Sequence, residues 1–94
     1  MELVVGKTYK IVGIPSDPTQ YELESVVFKD SNGDEISGAP SVVGNNETEA
    51  FTFGSELASQ LTTIYGTFGP IQQQTQDVDM DNDGNGTITA QEVQ

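Results

Sequence analysis

The chain contains no cysteine, histidine, tryptophan or arginine among its 94 residues. Without these side chains it cannot build a thiolate nucleophile, a histidine-dependent catalytic triad, a zinc finger or an iron–sulfur site. Two pairs of alternating carboxylates remain as candidates for acid–base catalysis, but we interpret them as solvated side chains at strand edges. These pairs are Glu22 with Glu24 and Glu47 with Glu49. We therefore expect that the protein is not an enzyme, and the absence of disulfides leaves its redox compartment open.

Positive charge is also scarce, because three lysines face 15 acidic residues and the formal net charge is −12. Lys7, Lys10 and Lys29 all lie within residues 1–29, where four acids oppose them, so residues 30–94 hold −11 without a cation. Such a chain cannot neutralise phosphates, which excludes nucleic-acid binding and attachment to anionic membranes. It attracts a cation or a basic partner instead.

Long apolar runs are missing as well. No segment approaches the roughly 18 consecutive apolar residues of a membrane-spanning helix, so we expect no membrane insertion. Near the N-terminus only Leu3 to Val5 are apolar in succession, whereas a secretory signal has about seven or more such residues. The sequence therefore carries no targeting segment, although a mature product whose signal had been removed would look the same.

Two strands are predicted in the first 29 residues. β-branched and aromatic residues dominate Thr8 to Val12, and Pro15 then ends this strand because proline lacks the amide donor. The second strand runs from about Tyr21 to Lys29, and its apolar alternation changes face midway. That change of face predicts a bulge or twist near Ser25.

The segment from Asp30 to Asp34, DSNGD, is typical of a β-hairpin turn. A two-residue Asn-Gly loop would place Phe28 opposite Ser37, whereas a three-residue loop with a left-handed glycine places Phe28 opposite Ile36. We predict the three-residue loop because it pairs two apolar side chains. The acidic side chains of this turn are interpreted as solvated rather than as a metal site, since a tight turn points them apart.

A connecting loop is predicted over residues 37–48, which are rich in Gly, Pro, Asn and Ser, and a short strand over about residues 50–53. An amphipathic helix is predicted over about residues 55–65, with Ser55 as its cap and Gly66 as its stop. Its apolar stripe is expected to pack on the strands rather than to form a docking surface. The stripe consists of Leu57, Ala58, Leu61, Ile64 and Tyr65.

Residues 81–92 read DNDGNGTITAQE and match a loop that wraps a Ca²⁺ ion at each diagnostic position. A glycine at position six permits the sharp turn, and a glutamate at position twelve closes the shell with two oxygens. Hard oxygen donors favour Ca²⁺ over softer metals, with Mg²⁺ as the competitor. The predicted ligands are the side chains of Asp81, Asp83 and Asn85, the carbonyl of Thr87, the hydroxyl or a water on Thr89, and the carboxylate of Glu92.

A loop that begins at Asp79 would also start with alternating aspartates. It would place Gly86 where the loop needs a hydrophobic residue and Ala90 where it needs the bidentate glutamate, so this register fails. Asp77 and Asp79 are then outer acids, which either raise the local negative potential or are plain solvated charges.

The segment resembles the loops of the EF-hand family, especially those of calmodulin-like proteins, over 12 of the 94 residues. In that family the residue at position twelve begins a helix, and the loops occur in pairs. Here only Val93 and Gln94 follow Glu92, and the sequence contains no second loop. The resemblance therefore implies a calcium site but not the opening of a target-binding groove. Two explanations of a single, shortened EF-hand are favoured: the chain is cut from a longer one, or the loop pairs with a copy in another subunit. The third explanation, that the loop braces the C-terminal segment against the β-rich body, is less favoured.

Together these features predict an α+β fold that is mainly β: a small antiparallel sheet with one amphipathic helix and a C-terminal EF-hand-like calcium loop. We divide the chain into a small β-rich domain over residues 1–68 and a C-terminal segment with a partial EF-hand over residues 69–94.

The loop is only moderately charged, so we predict a Kd for Ca²⁺ of about 10⁻⁵ to 10⁻³ M. Such a site fills outside cells or on a virion rather than in resting cytosol. We expect a non-enzymatic structural or assembly module with a protein partner or a homo-oligomer, and the composition resembles that of small bacteriophage virion components. The alternative is a calcium sensor or adaptor that binds a protein through an exposed apolar face, such as Leu57, Leu61 and Ile64.

Overall fold

The computed structural model describes residues 3–70 and 86–94, and this part of the chain holds eight strands and one short helix. The elements are β1 (Thr8–Pro15), β2 (Tyr21–Lys29), β3 (Glu35–Ile36), β4 (Val42–Gly44), β5 (Glu47–Thr48), β6 (Phe51–Thr52), α1 (Ser55–Gln60), β7 (Thr63–Pro70) and β8 (Gly86–Glu92). The described part of the chain is therefore mainly β, as predicted, and it contains very little helix. The calcium loop expected within this fold begins outside the described residues.

Two antiparallel sheets pack against each other. In the first sheet, β5 and β6 lie along one edge of β1 and β8 lies along the other, because Val12 is opposite both Glu47 and Thr89. Strand β4 extends this sheet beyond β5. The second sheet has the order β3-β2-β7. Strand β8 thus belongs to the same sheet as β1, and β7 runs across residue 68, where the sequence suggests a boundary.

The core lies between the two sheets. A Cβ atom on Gly13 would lie 3.0 Å from the Leu23 Cβ and 3.1 Å from the Phe68 ring, so the sheets approach closely at this glycine. Burial of each large apolar side chain contributes about 1.5–3 kcal/mol to stability. The buried cluster consists of Ile11, Leu23, Val26, Phe28, Ile64 and Phe68. The described part contains no helix with the length and apolar character that crossing a membrane requires.

The predicted first two strands and the bulge are confirmed. Strand β2 has the predicted bounds, β1 ends at Pro15, and the register of β2 against β7 shifts between Leu23 and Ser25. Leu23 lies directly before this shift, and its N–H donates to Asn46 Oδ1 at 2.8 Å. Asn46 lies in the turn between β4 and β5, so one side-chain hydrogen bond ties a turn of the first sheet to the bulge of the second.

The predicted three-residue hairpin loop is also confirmed. Phe28 is opposite Ile36, and Gly33 has a φ of 82°, in the left-handed region that glycine adopts at little cost. The Asp30 carboxylate accepts hydrogen bonds from the N–H groups of Asn32 and Asp34 at 2.9 and 3.0 Å. This acid therefore stabilises the turn in which it lies.

The predicted helix over residues 55–65 is too long. Helix α1 covers Ser55–Gln60, and its N-cap is Gly54 rather than Ser55. Residues from Thr63 onward form β7 instead, which is opposite β2 at eight positions. β-branched and aromatic side chains follow Leu61 and favour the strand, and pairing with a long central strand stabilises it far more than one extra helical turn would.

The predicted loop over residues 37–48 is wrong in part, because it contains β4 and β5. Asn45 and Asn46, with φ values of 56° and 61°, form the tight turn between these strands. Asparagine tolerates this left-handed conformation better than most residues, and two in succession are typical of a β-hairpin turn. The predicted strand near residues 50–53 is confirmed as β6.

Candidate metal centre

The second half of the calcium motif is strand β8. Three of the six predicted ligands, Asp81, Asp83 and Asn85, lie outside the described residues. Thr87, Thr89 and Glu92 lie on β8, which is opposite β1 at seven consecutive positions from Tyr9–Glu92 to Pro15–Gly86.

Alternation along β8 explains why this segment is a strand. Thr87, Thr89 and Gln91 are exposed, whereas Ile88 and Ala90 are half-buried and pack against the core. This period of two, with β-branched residues at three of seven positions, is typical of a strand with one face covered.

Gly86 begins β8 and lacks the left-handed φ that the sharp turn predicted from its motif position needs; its role in the structure is one of packing. A Cβ atom at this residue would lie 2.7 Å from Phe68 Cζ and 2.8 Å from the Ile14 carbonyl oxygen, so a larger residue does not fit here without a shift of the backbone. The sequence motif predicts a glycine here for its conformation, but gives no signal of this close approach.

The strand conformation separates two predicted ligands. Thr87 and Glu92 are five residues apart, which corresponds to about 17 Å along an extended strand. Oxygen ligands of one Ca²⁺ lie about 2.4 Å from the ion and therefore within about 5 Å of each other. In the register with β1, β8 does not gather Thr87 and Glu92 around one ion, and the six-residue ligand set stays a prediction.

Glu92 instead faces a lysine. Its Oε2 atom lies 3.6 Å from Lys7 Nζ, and both side chains are about half exposed. An exposed ion pair of this kind contributes about 0–1 kcal/mol, so it is easily exchanged for a stronger partner.

Each of the three lysines has a partner. Besides Lys7 with Glu92, Lys10 Nζ lies 2.7 Å from Glu47 Oε1, and Lys29 Nζ lies 4.3 Å from the centre of the Tyr65 ring. Lys10 and Glu47 sit on paired strands, and the cation–π contact joins β2 to β7. The sequence alone gives no signal for these contacts.

The other acidic residues do not form a second site in the part of the chain that the structure describes. In residues 3–70 and 86–94, no three acidic side chains come together in a way that would hold a metal ion. Glu47 is paired with Lys10, and Glu49 Oε2 accepts a hydrogen bond from the Ser41 N–H at 3.2 Å. In the acidic hairpin turn, which the sequence predicts to be solvated, the Asp30 carboxylate accepts two backbone hydrogen bonds.

The apolar stripe around α1 packs on the strands, as predicted. Leu57 and Leu61 are half-buried against the core, and Ile64 is 8% exposed on β7. A sensor that binds its partner through these side chains would therefore have to expose them first.

Comparison of the chain with protein-family models, curated proteins and solved structures gives no match.

Proposed function

We propose that this protein is a non-enzymatic calcium-binding module with a structural or assembly role, in which Ca²⁺ fixes the C-terminal loop and stabilises contacts with a second subunit or a protein partner. The observation that carries the proposal is the position of the motif. Its last seven residues, 86–92, are the whole of β8, and β8 follows β1 over nearly its full length. A cation in this motif would act directly on an edge strand of the first sheet.

The ligands have separate tasks in this proposal. Asp81, Asp83 and Asn85 supply side-chain oxygens just before β8, and the Thr87 carbonyl adds one at its start. These four residues alone would leave β8 in register, but they supply too few oxygens for binding at the predicted affinity. Thr89 and Glu92 complete the shell when the chain closes around the ion.

Closure by Glu92 has a cost that can be compared with the gain. It requires the end of β8 to leave its register, which gives up the contact with Lys7, worth about 0–1 kcal/mol, and a few ladder hydrogen bonds worth about 1 kcal/mol each. A Kd near 10⁻⁴ M corresponds to about 5.5 kcal/mol of binding free energy. This net free energy already includes the cost of closure, so we infer that binding at this affinity moves Glu92 from Lys7 to the ion.

Charge gives the assembly role its physical reason. Each copy carries −12, and contact between copies therefore costs electrostatic repulsion. One bound Ca²⁺ changes the net charge of each copy from −12 to −10. It neutralises negative charge in the region richest in carboxylates. The compositional likeness to small bacteriophage virion components fits such an assembly, and we include it as the setting of the proposal.

Sedimentation in millimolar Ca²⁺ and in excess chelator tests the assembly role. We expect a larger particle and a higher thermal midpoint with Ca²⁺, and no such difference for the Asp81→Asn/Asp83→Asn variant, which serves as the matched control. Identical size and identical stability in both buffers would refute the proposal. The alternative, a sensor, predicts instead that Ca²⁺ increases the binding of a hydrophobic dye to a particle of unchanged size.

A further inference from the structure

The hairpin turn between β2 and β3 combines an exposed asparagine with a glycine that directly follows it. Asn32 and Gly33 are both exposed, and Gly33 lies in the left-handed region with a φ of 82°. Glycine has no side chain that would shield its backbone nitrogen from the side chain of the preceding residue. The backbone nitrogen of Gly33 can therefore attack the amide carbon of Asn32 when the turn opens.

This combination distinguishes Asn32 from the other asparagines that the structure describes. Asn45 is followed by Asn46, and Asn46 is followed by Glu47, the first residue of β5. The side chain of Asn46 is also held in place, because its Oδ1 atom accepts a hydrogen bond from the Leu23 N–H at 2.8 Å. Among these three asparagines, the structure therefore points to Asn32 as the reactive one.

Asp30 holds the turn closed around this pair. Its carboxylate accepts hydrogen bonds from the N–H groups of Asn32 and Asp34 at 2.9 and 3.0 Å. Its carbonyl oxygen accepts the Gly33 N–H at 3.0 Å, and its own N–H donates to the Asp34 carbonyl at 2.9 Å. An aspartate that bonds the backbone of its own turn in this way stabilises the turn. The N–H of Gly33 is thus engaged while the turn is closed.

We propose that Asn32 is a site of spontaneous deamidation and that Asp30 restrains the reaction by keeping the turn closed. The Gly33 nitrogen forms a bond to Cγ of Asn32, the bond from Cγ to Nδ2 breaks, and the proton of the Gly33 N–H leaves with the ammonia. Water then opens the cyclic imide at either carbonyl, which gives aspartate or isoaspartate. Asp30 is a positioning residue in this proposal, since it acts only through the turn.

The isoaspartate product changes the hairpin. Its main chain runs through the former side chain, so the loop gains one backbone carbon atom. The three-residue loop sets Phe28 opposite Ile36, and isoaspartate in place of Asn32 therefore weakens this pairing. Either product also adds one negative charge to a copy that already carries −12. The proposal does not depend on bound metal or on assembly.

Peptide mapping of the full chain measures the reaction. Cleavage after Lys29 and Glu35 releases residues 30–35, DSNGDE, in which Asn32 is the only side-chain amide. Asn85, which also precedes a glycine and lies outside the described residues, falls in a different peptide. The protein is incubated at mildly alkaline pH in buffer and in urea, and conversion is followed by mass and by enzymatic methylation of isoaspartate. We expect conversion in both solutions, several-fold faster in urea, where the turn is not formed.

Two variants separate the hydrogen bonds of Asp30 from its charge. Asp30→Ala removes the carboxylate that accepts two N–H groups, so it should convert several-fold faster than the unmodified chain in buffer. Asp34→Ala is the matched control, because it removes a carboxylate from the same turn but keeps the Asp34 backbone groups that bond to Asp30. It should convert at the rate of the unmodified chain. In urea all three chains should react at the same rate.

Absence of conversion in buffer, in the unmodified chain and in Asp30→Ala alike, would overturn the site at Asn32 whatever the rate in urea. Equal rates for the unmodified chain and Asp30→Ala in buffer would overturn the restraint by Asp30. Equal acceleration by Asp34→Ala and Asp30→Ala would overturn it as well, since loss of charge rather than of the hydrogen bonds would then explain the change.

Discussion

Replacement of Gly66 by alanine tests whether β8 packs on β7 as described. A Cβ atom on Gly66 would overlap Cγ2 of Ile88, which lies on the facing strand. Overpacking of this kind costs about 1–3 kcal/mol, whereas exchange of glycine for alanine within a strand by itself gains about 0.5–1 kcal/mol. We therefore expect Gly66→Ala to lower the free energy of unfolding by about 1–2 kcal/mol.

The overlap involves one side chain, Ile88, and Ile88→Ala removes it. That change alone should cost about 1–2 kcal/mol, less than for a fully buried isoleucine because Ile88 is half-buried. In the Ile88→Ala background, Gly66→Ala has no overlap left and should be neutral or slightly stabilising. The two changes should therefore be coupled by about 1–3 kcal/mol.

Urea unfolding of the four proteins, followed by circular dichroism, gives the coupling energy from midpoints at constant slope. Additive effects of Gly66→Ala and Ile88→Ala would refute the described packing of β8 on β7. A stabilising effect of Gly66→Ala in the unmodified chain would refute it as well.

Three further predictions concern the bulge and the calcium ligands. Asn46→Ala leaves the Leu23 N–H group at the β2 bulge without its acceptor, so it should lower the free energy of unfolding by about 1–3 kcal/mol more than Asn45→Ala does. Asn45 is the control because it has the same left-handed conformation, and equal losses in urea unfolding would contradict the prediction. In calorimetry, Glu92→Gln should abolish Ca²⁺ binding while Asp79→Asn weakens it slightly, and equal losses would mean that the loop register is wrong. Lys7→Gln should tighten Ca²⁺ binding up to about fivefold by freeing Glu92, and an unchanged Kd would indicate that Glu92 does not move to the ion.

Local patterns in the sequence predict the first part of the fold well. The bounds of β2, the bulge near Ser25 and the pairing of Phe28 with Ile36 all follow from alternation and turn chemistry within a few residues. Each of these features is decided by neighbours in the chain, so the sequence contains the information in one place.

Strands β7 and β8 escape such prediction because their partners are distant in sequence. Residues around Ile64 and Tyr65 have apolar spacing that fits a helix, but pairing with β2 decides the outcome. Strand β8 pairs with β1 across more than 70 residues, and its sequence also fits a metal loop. Long-range pairing overrides the local helical preference at Ile64 and Tyr65, whereas the metal loop that ends in β8 stays a prediction.

The candidate site shows the same division between local and distant information. The motif over residues 81–92 is recognisable because its ligand spacing is local. The ion pair of Glu92 with Lys7 and the fit of Ile88 over Gly66 are not predictable from that spacing, since both join residues far apart in the chain. These distant contacts suggest how calcium would act on the fold.

Calorimetric titration of the unmodified chain with Ca²⁺ shows whether residues 81–92 bind the ion. We expect one binding event per chain with a Kd of about 10⁻⁵ to 10⁻³ M, and its loss in the Asp81→Asn/Asp83→Asn variant. Absence of a binding isotherm at millimolar Ca²⁺, or equal binding by that variant, would contradict it.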